Sequence, residues 1–493
     1  MSATWKNLPD LLRGCATHRA DVALVADEQR VLTGRSLLKA TLGAARILSA
    51  AGVLADRQVV LDTRSAGWTD LAVAYCGTAW LGAVPILVQS ATTMAAAEEL
   101  AGAGPVVRAG EALTAQAIEY GGTGAAEALT VDLPRVGSGT LDIVFTSGTT
   151  GSPKPVRSSH ADWMIAARPE MLLSPGRRTV QHAGIPFAVS GGVHGIFLSH
   201  LLRGVTSVQA SQPVAVAAIA ERWRPVELHL TPFGARSLLL ALPPDAAGAD
   251  WTSGVRIIRL VGAAAPDVVR EGLLSAFPRA RCASVYALTE GGAACCVDVG
   301  GGATGRIGRP AEGTEVRVVD PSGRQVAAGE SGEILIRGPV GGPRYTDRQL
   351  DREWHLDGWT RTGDIGLAAD DGSVSLVGRA RELIMLGSGR LSPEAVEAIL
   401  RRRAGDAVEF VAVGIETRGR SDAIAVLIEG SATDPEAKEL ARRLTELKRP
   451  FRPAFVHFGP IPRTELGKVR RRDVLLQLLA ERHQTAEPVD QNG

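Results

Sequence analysis

Lysine is scarce in this chain: only Lys6, Lys39, Lys154, Lys438, Lys448 and Lys468 stand among 54 basic residues. Acidic residues number 53, so the net charge is +1 and the basic excess of a nucleic-acid groove is missing. The runs Arg401–Arg403 and Arg470–Arg472 therefore read as solvated helix faces. Cysteine is scarce too. Cys15, Cys76, Cys282, Cys295 and Cys296 form an odd set without C-x-x-C spacing, which excludes a disulfide framework and a zinc site and leaves buried thiols. His182, His194 and His200 lack the i, i+4 spacing of metal ligands. No apolar run is long enough to cross a bilayer, and MSATWKNLPDLLRG lacks the basic-then-apolar signal pattern. The expectation is a cytoplasmic protein with neither membrane nor nucleic acid as partner.

What is present points to a multidomain α/β protein. A chain of 493 residues exceeds one compact core, and 45% hydrophobic with 22% charged residues is a globular composition. Apolar strand-like runs alternate with Ala/Leu-rich stretches: Gln58–Leu61, then Trp68–Leu81, then Val84–Val88. Val205–Ala210, Val226–Thr231, Val255–Val261 and Cys282–Tyr286 read as further strands, several apolar throughout and so buried. From about residue 313 the texture changes to short alternating strands such as TEVRVVD, GEILIRG and SVSLVGR. After Gly378 a smaller unit begins. Ser392, Pro393 and Glu394 predict a capped helix through Arg403, and Pro435–Leu447 predicts a second. Strands are expected around Phe410–Val413 and Ala423–Ile428. The fold class expected is a large N-terminal multi-layer α/β domain, 1–380, with a small mobile C-terminal α+β domain, 381–485, and a polar tail, 486–493.

Glycine-marked polar stretches carry the chemistry. TSGTTGSPKPV, Thr146–Val156, follows the apolar LDIVF. It is not a Walker loop, since only Thr149 and Thr150 separate Gly148 from Gly151 and Pro155 follows Lys154. Its glycines let backbone N–H groups approach an oxyanion, Thr146, Ser147, Thr149 and Thr150 offer hydroxyls, and Lys154 adds a point charge. YALTEG, WTRTGD, GRARELIMLGSGR and PRTELGK follow in that order.

Together these motifs resemble the acyl-adenylate-forming superfamily, which holds acyl- and aryl-CoA synthetases and nonribosomal adenylation domains. The resemblance covers about residues 20 to 475. It implies an enzyme that makes an acyl-adenylate from a small-molecule acid and ATP with Mg²⁺, then transfers the acyl group. By resemblance TSGTTGSPKPV holds the β- and γ-phosphates, Tyr286 lies on adenine and Thr289 meets the α-phosphate. Glu290 would hold Mg²⁺, Asp364 would accept the ribose hydroxyls and Arg379 would assist. Lys468 would bridge the carboxylate and the α-phosphate, and Arg381 is the implied hinge. The acid pocket falls on Val189, Ser190, Gly191 and His194, and Gly262, Ala263 and Ala264 match a strand–turn that borders the acyl pocket and adenine. His194 touches substrate or packs under the loop; both readings stay open.

Some positions depart from the family. Met385 replaces a usual lysine, Ser388 a usual glycine, Val189 a histidine common in CoA synthetases, and Pro155 a glycine. No aspartate stands near Pro186–Gly195 to hold an α-amino group, so a free amino acid is the poorer substrate. Cys295-Cys296 is read as packing, with no activating base nearby. CoA is the acceptor most used in the family. The departures also raise an amine, a carrier-protein thiol, or adenylation of nitrite to diazotise an aryl amine. A nucleotide-binding regulator without catalysis is the reading from another class.

Overall fold

The computed structural model describes residues 5–102, 104–122, 139–146, 153–166, 179–212, 215–243, 246–291, 294–299, 305–338, 342–386, 389–405, 408–416, 422–464 and 467–484. Ser147, Gly148, Thr149, Thr150, Gly151, Ser388 and the tail 486–493 lie outside them.

The first predicted α/β unit forms as read. Strands Gln58–Asp62 and Val84–Val88 pair in parallel, joined by the helix Trp68–Trp80. Every residue of that helix is buried, which explains why WTDLAVAYCGTAW has no polar face. Thr140–Thr146 joins Val84–Val88 in parallel, then pairs antiparallel with Lys154–Ser159, with Thr146 opposite Lys154. Arg344–Tyr345 closes the edge against Arg157 and Val156, and the sheet has six strands.

A second sheet of 14 strands packs against this unit. At its centre Thr206–Ala210, Thr179–Ala183, Glu227–Leu230, Ile257–Val261 and Arg281–Ala287 run parallel. Their carboxyl ends share one edge, the side on which open α/β sheets bind ligands. Leaving that edge are the turn at 184–189, Thr231, Gly262–Ala265 and Leu288–Gly291. Beyond Arg281–Ala287 the sheet continues antiparallel through Ala294–Val299, Arg306–Pro310, Val374–Arg379, Trp359–Ala368, Ser331–Arg337 and Glu315–Val319. This is the change of texture read near residue 313. One aromatic-rich core, with Trp68, Tyr75, Trp80, Phe187 and Phe197, fills the space beside the parallel strands.

From Ile384 the chain builds around a different sheet. A hairpin, Ile384–Leu386 with Gly389–Leu391, precedes the helix Pro393–Ala404, whose Ser392 Oγ accepts the Ala395 N–H at 3.1 Å. Phe410–Ile415, Ala423–Ile428 and Phe455–Phe458 form three strands, with helices Pro435–Thr445 and Arg471–Gln484 on opposite faces. Val396, Phe410, Val426 and Leu440 pack on one face, and Val413, Leu427, Val474 and Leu478 on the other.

The last strand and last helix are not evident in the sequence pattern. FVHF is half-buried throughout, and the helix opens inside an arginine run. Here the solvated-face reading needs correction. Arg471 is 7% exposed and donates to Glu394 and Glu397 at 2.7 Å each and to the Ala412 carbonyl at 3.0 Å. Three carboxylates reach it from an earlier helix and turn, which no local pattern signals. All five cysteines are free and buried. No described helix is long and apolar enough to cross a membrane.

Candidate active site

Two neighbouring strands set the carboxylate end of the site. Asp364 on Trp359–Ala368 stands opposite Arg379 on Val374–Arg379, and the Arg379 Nε lies 2.9 Å from Asp364 Oδ1. The Tyr286 hydroxyl donates to Oδ2 at 2.6 Å, and the Arg379 guanidinium also donates to the Thr362 carbonyl. Asp364 is 3% exposed; burial raises its pKa, against the opposing charges of Arg379 and Lys468 and the Tyr286 hydrogen bond. Burial, with the Asp364 charge, holds the Tyr286 phenol well above its ordinary range, so it remains a donor. Each carboxylate oxygen has a second lone pair, enough to accept from a vicinal diol as well.

Glu290 follows Thr289 in the turn after Arg281–Ala287, and the Tyr345 hydroxyl donates to its Oε1. Lys154, at the first position of its strand, holds its Nζ 5.0 Å from the Trp354 ring centre and 5.9 Å from that of Tyr345. Tyr345 thus ties the exit of TSGTTGSPKPV to YALTEG. Behind it lies a depression of about 210 Å³ lined by Arg157, Arg348, Asp351 and Arg352.

Lys468 reaches this edge from the other body. Gly467 takes φ +74°, and a Cβ there would lie 2.6 Å from Phe233 Cγ, so only glycine fits the turn that presents the lysine. Arg463 braces the loop, with its guanidinium 3.0 Å from the Gly467 carbonyl and 2.7 Å from Glu409. Lys468 Cε lies 3.7 Å from where a Cβ on Gly262 would stand. Its ammonium is enclosed; burial and then the Arg379 charge lower its pKa to about 8, while Asp364 and Glu290 act the other way.

A model of the AMP-binding enzyme family matches residues 11–346. The chain belongs to this family. Among curated relatives, the sulfoacetate–CoA ligase of Cupriavidus necator is 30% identical over 346 residues, covering 68% of this chain. The match spans 66% of that relative, about two thirds of its length. The fold is that of an anthranilate CoA ligase solved in complex with anthranoyl-AMP, with TM-score 0.79 and 20% identity over 97% of this chain and 99% of that one. It is equally that of the O-succinylbenzoate coenzyme A synthetase of Bacillus subtilis in complex with ATP and magnesium ion. There the TM-score is 0.77 with 19% identity, over 94% and 99% of the two chains.

In this AMP-binding enzyme, Lys468, Glu290, Asp364, Arg379 and Tyr286 lie close to one another, and TSGTTGSPKPV is described only at Thr146 and from Pro153 onward. Gly262, Ala263 and Ala264 form an exposed turn on the same edge. Val189 is buried, Ser190 half-buried and Gly191 exposed. His194 lies behind Ser190, 4% exposed and 2.8 Å from Asp142, packed under the loop. Arg381 is exposed in the turn between the 14-stranded sheet and the hairpin. There Gly378 packs so closely that a Cβ would lie 2.7 Å from that of Ser392.

Sequence reasoning missed Tyr345, Phe233, Asp142 and Tyr75. One signal was available. The chain has four tyrosines, and Tyr75, Tyr286 and Tyr345 each donate to a buried or site carboxylate.

Proposed function

We propose that this chain is an ATP-dependent, adenylate-forming ligase. It joins a carboxylic acid, an aryl or other non-amino acid, to AMP with release of pyrophosphate, then passes the acyl group to CoA. The observation that carries this reading is the approach of Lys468, from the body after residue 384, to Gly262, Asp364 and Glu290. A cation delivered by a separate body suits a carboxylate attacking the α-phosphorus in line while pyrophosphate leaves on the far side.

We assign the roles from the motifs, as the resemblance implies them. Lys468 draws the carboxylate and the α-phosphate together, and Thr289 offers its hydroxyl to the latter. Lys154, with Thr146, Ser147, Gly148, Thr149, Thr150 and Gly151, holds the outer phosphates. Asp364 takes the ribose hydroxyls, Arg379 orients it, and Tyr286 faces adenine. Mg²⁺ is commonly held by one or two carboxylates plus substrate phosphates. Glu290 fits that pattern: Tyr345 holds one oxygen, and no described residue bonds the other. When bound, the ion would neutralise charge on the phosphates. The 381–485 body then turns about Arg381, withdraws Lys468 and brings the hairpin to the acyl group.

The curated relative's name supports CoA as acceptor. The hairpin favours a second reading. Arg390 Nε lies 3.3 Å from Met385 Sδ, where the resembling family carries lysine. An apolar thioether there in place of a cation favours an amine or carrier-protein acceptor.

A library of acids with ATP and Mg²⁺, with and without CoA and amines, tests this by pyrophosphate release and mass spectrometry. Acid-dependent release with an acyl-AMP product is expected, and the added acceptor that converts it names the second step. If no acid or other oxyanion supports release, the ligase reading is wrong and a nucleotide-binding regulator remains.

A further inference from the structure

Arginines gather around one depression at the edge of the six-stranded sheet. Arg344 and Arg157 are direct partners in the antiparallel pair that closes this edge, so their side chains share a face. Just beyond, the short helix Arg348–Trp354 carries Arg348 and Arg352 four residues apart, again on one face. Both are like-charge placements, and each destabilises the element that holds it. Arg157, Arg348 and Arg352 line the depression together with Tyr345, Thr346 and Asp351, around a volume of about 210 Å³. The protein neutralises little of this charge. Asp351 is the one acidic residue in the lining. Its Oδ1 accepts the Tyr345 N–H at 3.0 Å and lies 3.0 Å from His355 Nδ1, and its Oδ2 lies 3.9 Å from Arg344. Asp347 is committed to the helix cap, accepting the Leu350 N–H at 2.7 Å. No described carboxylate pairs with Arg157, Arg348 or Arg352. Elsewhere the chain does pair its arginines: Arg337 and Arg361 each have a glutamate at 2.6 Å.

Two like-charge pairs around one hollow call for an anion between them. A guanidinium keeps its charge in nearly any surroundings and meets phosphate oxygens through paired N–H groups. The volume is below the about 300–1,000 Å³ of sites for drug-sized ligands, so it suits a small oxyanion. The neighbours of the depression narrow the choice. Tyr345 lines it and also donates its hydroxyl to Glu290. Arg157 follows Lys154 by three residues on one strand, and Lys154 Nζ stands 5.9 Å from the Tyr345 ring centre. The depression therefore adjoins the end of the site to which the outer phosphates of ATP are assigned above.

We propose that this depression is a second phosphate site, which receives the pyrophosphate released by adenylation before it leaves the protein. The proposal rests on the adenylation reading above. Arg157, Arg348 and Arg352 bind the oxyanion and take no part in forming the acyl-adenylate. By reversibility, the same site captures pyrophosphate when the reaction runs backward.

Calorimetry on the full chain tests it, with α,β-methylene-ATP saturating the first phosphate site and pyrophosphate as the titrant at fixed free Mg²⁺. One pyrophosphate should bind per chain, more tightly than inorganic phosphate or sulfate. The double variant Arg348→Gln/Arg352→Gln should weaken it about tenfold, and Arg157→Gln by a smaller factor, since these charges are partly screened by solvent. In acid-dependent pyrophosphate–ATP exchange the double variant should raise the KM for pyrophosphate about tenfold, while the KM for ATP changes less than about twofold. Its forward rate with pyrophosphatase present should match the wild type. If the double variant misfolds, Arg157→Gln, on a separate strand, decides alone. Absence of binding to the saturated chain overturns the proposal, as does equal affinity for pyrophosphate, phosphate and sulfate. Exchange in which the variants keep the wild-type KM for pyrophosphate overturns it and leaves the ligase reading standing, whereas no exchange with any acid overturns both.

Discussion

Lys468 and Arg471 lie three residues apart, Lys468 on a loop and Arg471 at the start of the helix that follows, and burial works against both charges with opposite outcomes. Burial works against the Arg471 charge, but Glu397 and Glu394 outweigh it and hold its pKa above the ordinary value. Glu382 adds a third carboxylate at 3.8 Å. Lys468 is also enclosed, yet no described carboxylate pairs with it, and its pKa falls to about 8. Arg471 joins the loop to its own body, while Lys468 crosses to the neighbouring one. A lysine locked in an ion pair would have to break it before withdrawing. Lys468 has no such pair among the described residues, so stability and reactivity are assigned to separate cations.

The largest expected effect comes from removing the crossing cation. Lys468→Ala should slow adenylate formation by roughly 10²- to 10⁴-fold, the range for losing one aimed charge or proton donor. Transfer from a supplied acyl-adenylate should change by only a small factor, and the melting temperature should hold or rise. Equal losses in both half-reactions, measured by single turnover, would contradict the two-body assignment.

Next comes the anchor. Arg471→Met leaves the largely buried Glu397 without its partner, while the half-exposed Glu394 can turn to solvent, and should cost about 3 kcal/mol. Hydrogen exchange should show lost protection in Phe410–Ile415 and Ala423–Ile428 while Gln58–Asp62 stays protected. Unaltered protection would show that the carboxylate cage is not what holds the loop.

The smallest effect is a titration. Lys468 must be charged to attract two anionic groups, and its pKa lies near 8, below the usual lysine value. The adenylation rate should therefore fall as pH rises through about 8, approaching tenfold per unit. Lys468→Arg stays charged and should lose that limb, whatever its absolute rate. A wild-type rate that does not fall above this pH would mean that Asp364 and Glu290 restore the charge.

Much was legible from short stretches. QVVL, VPILV and TEVRVVD carry their strand assignments in β-branched runs, and Ser392 announces its helix by the cap it makes. FVHF and the helix from Arg471 were not legible, because their partners rather than their own pattern define them. In the sequence Arg471 is one of three adjacent arginines, and only the fold brings Glu394 and Glu397 to it.

By itself the sequence determined the order of the motifs, the family they resemble, the two-part architecture and the residue types available for chemistry. Only the tertiary structure decided which tyrosine meets which carboxylate. Tyr75 and Asp142 are 67 residues apart, Tyr286 and Asp364 are 78 apart, and Tyr345 and Glu290 are 55 apart. Periodicity and capping act over a few residues. Strand order and register act over the whole chain, and they turned a possible substrate-binding histidine into a buried link between Asp142 and Ser190.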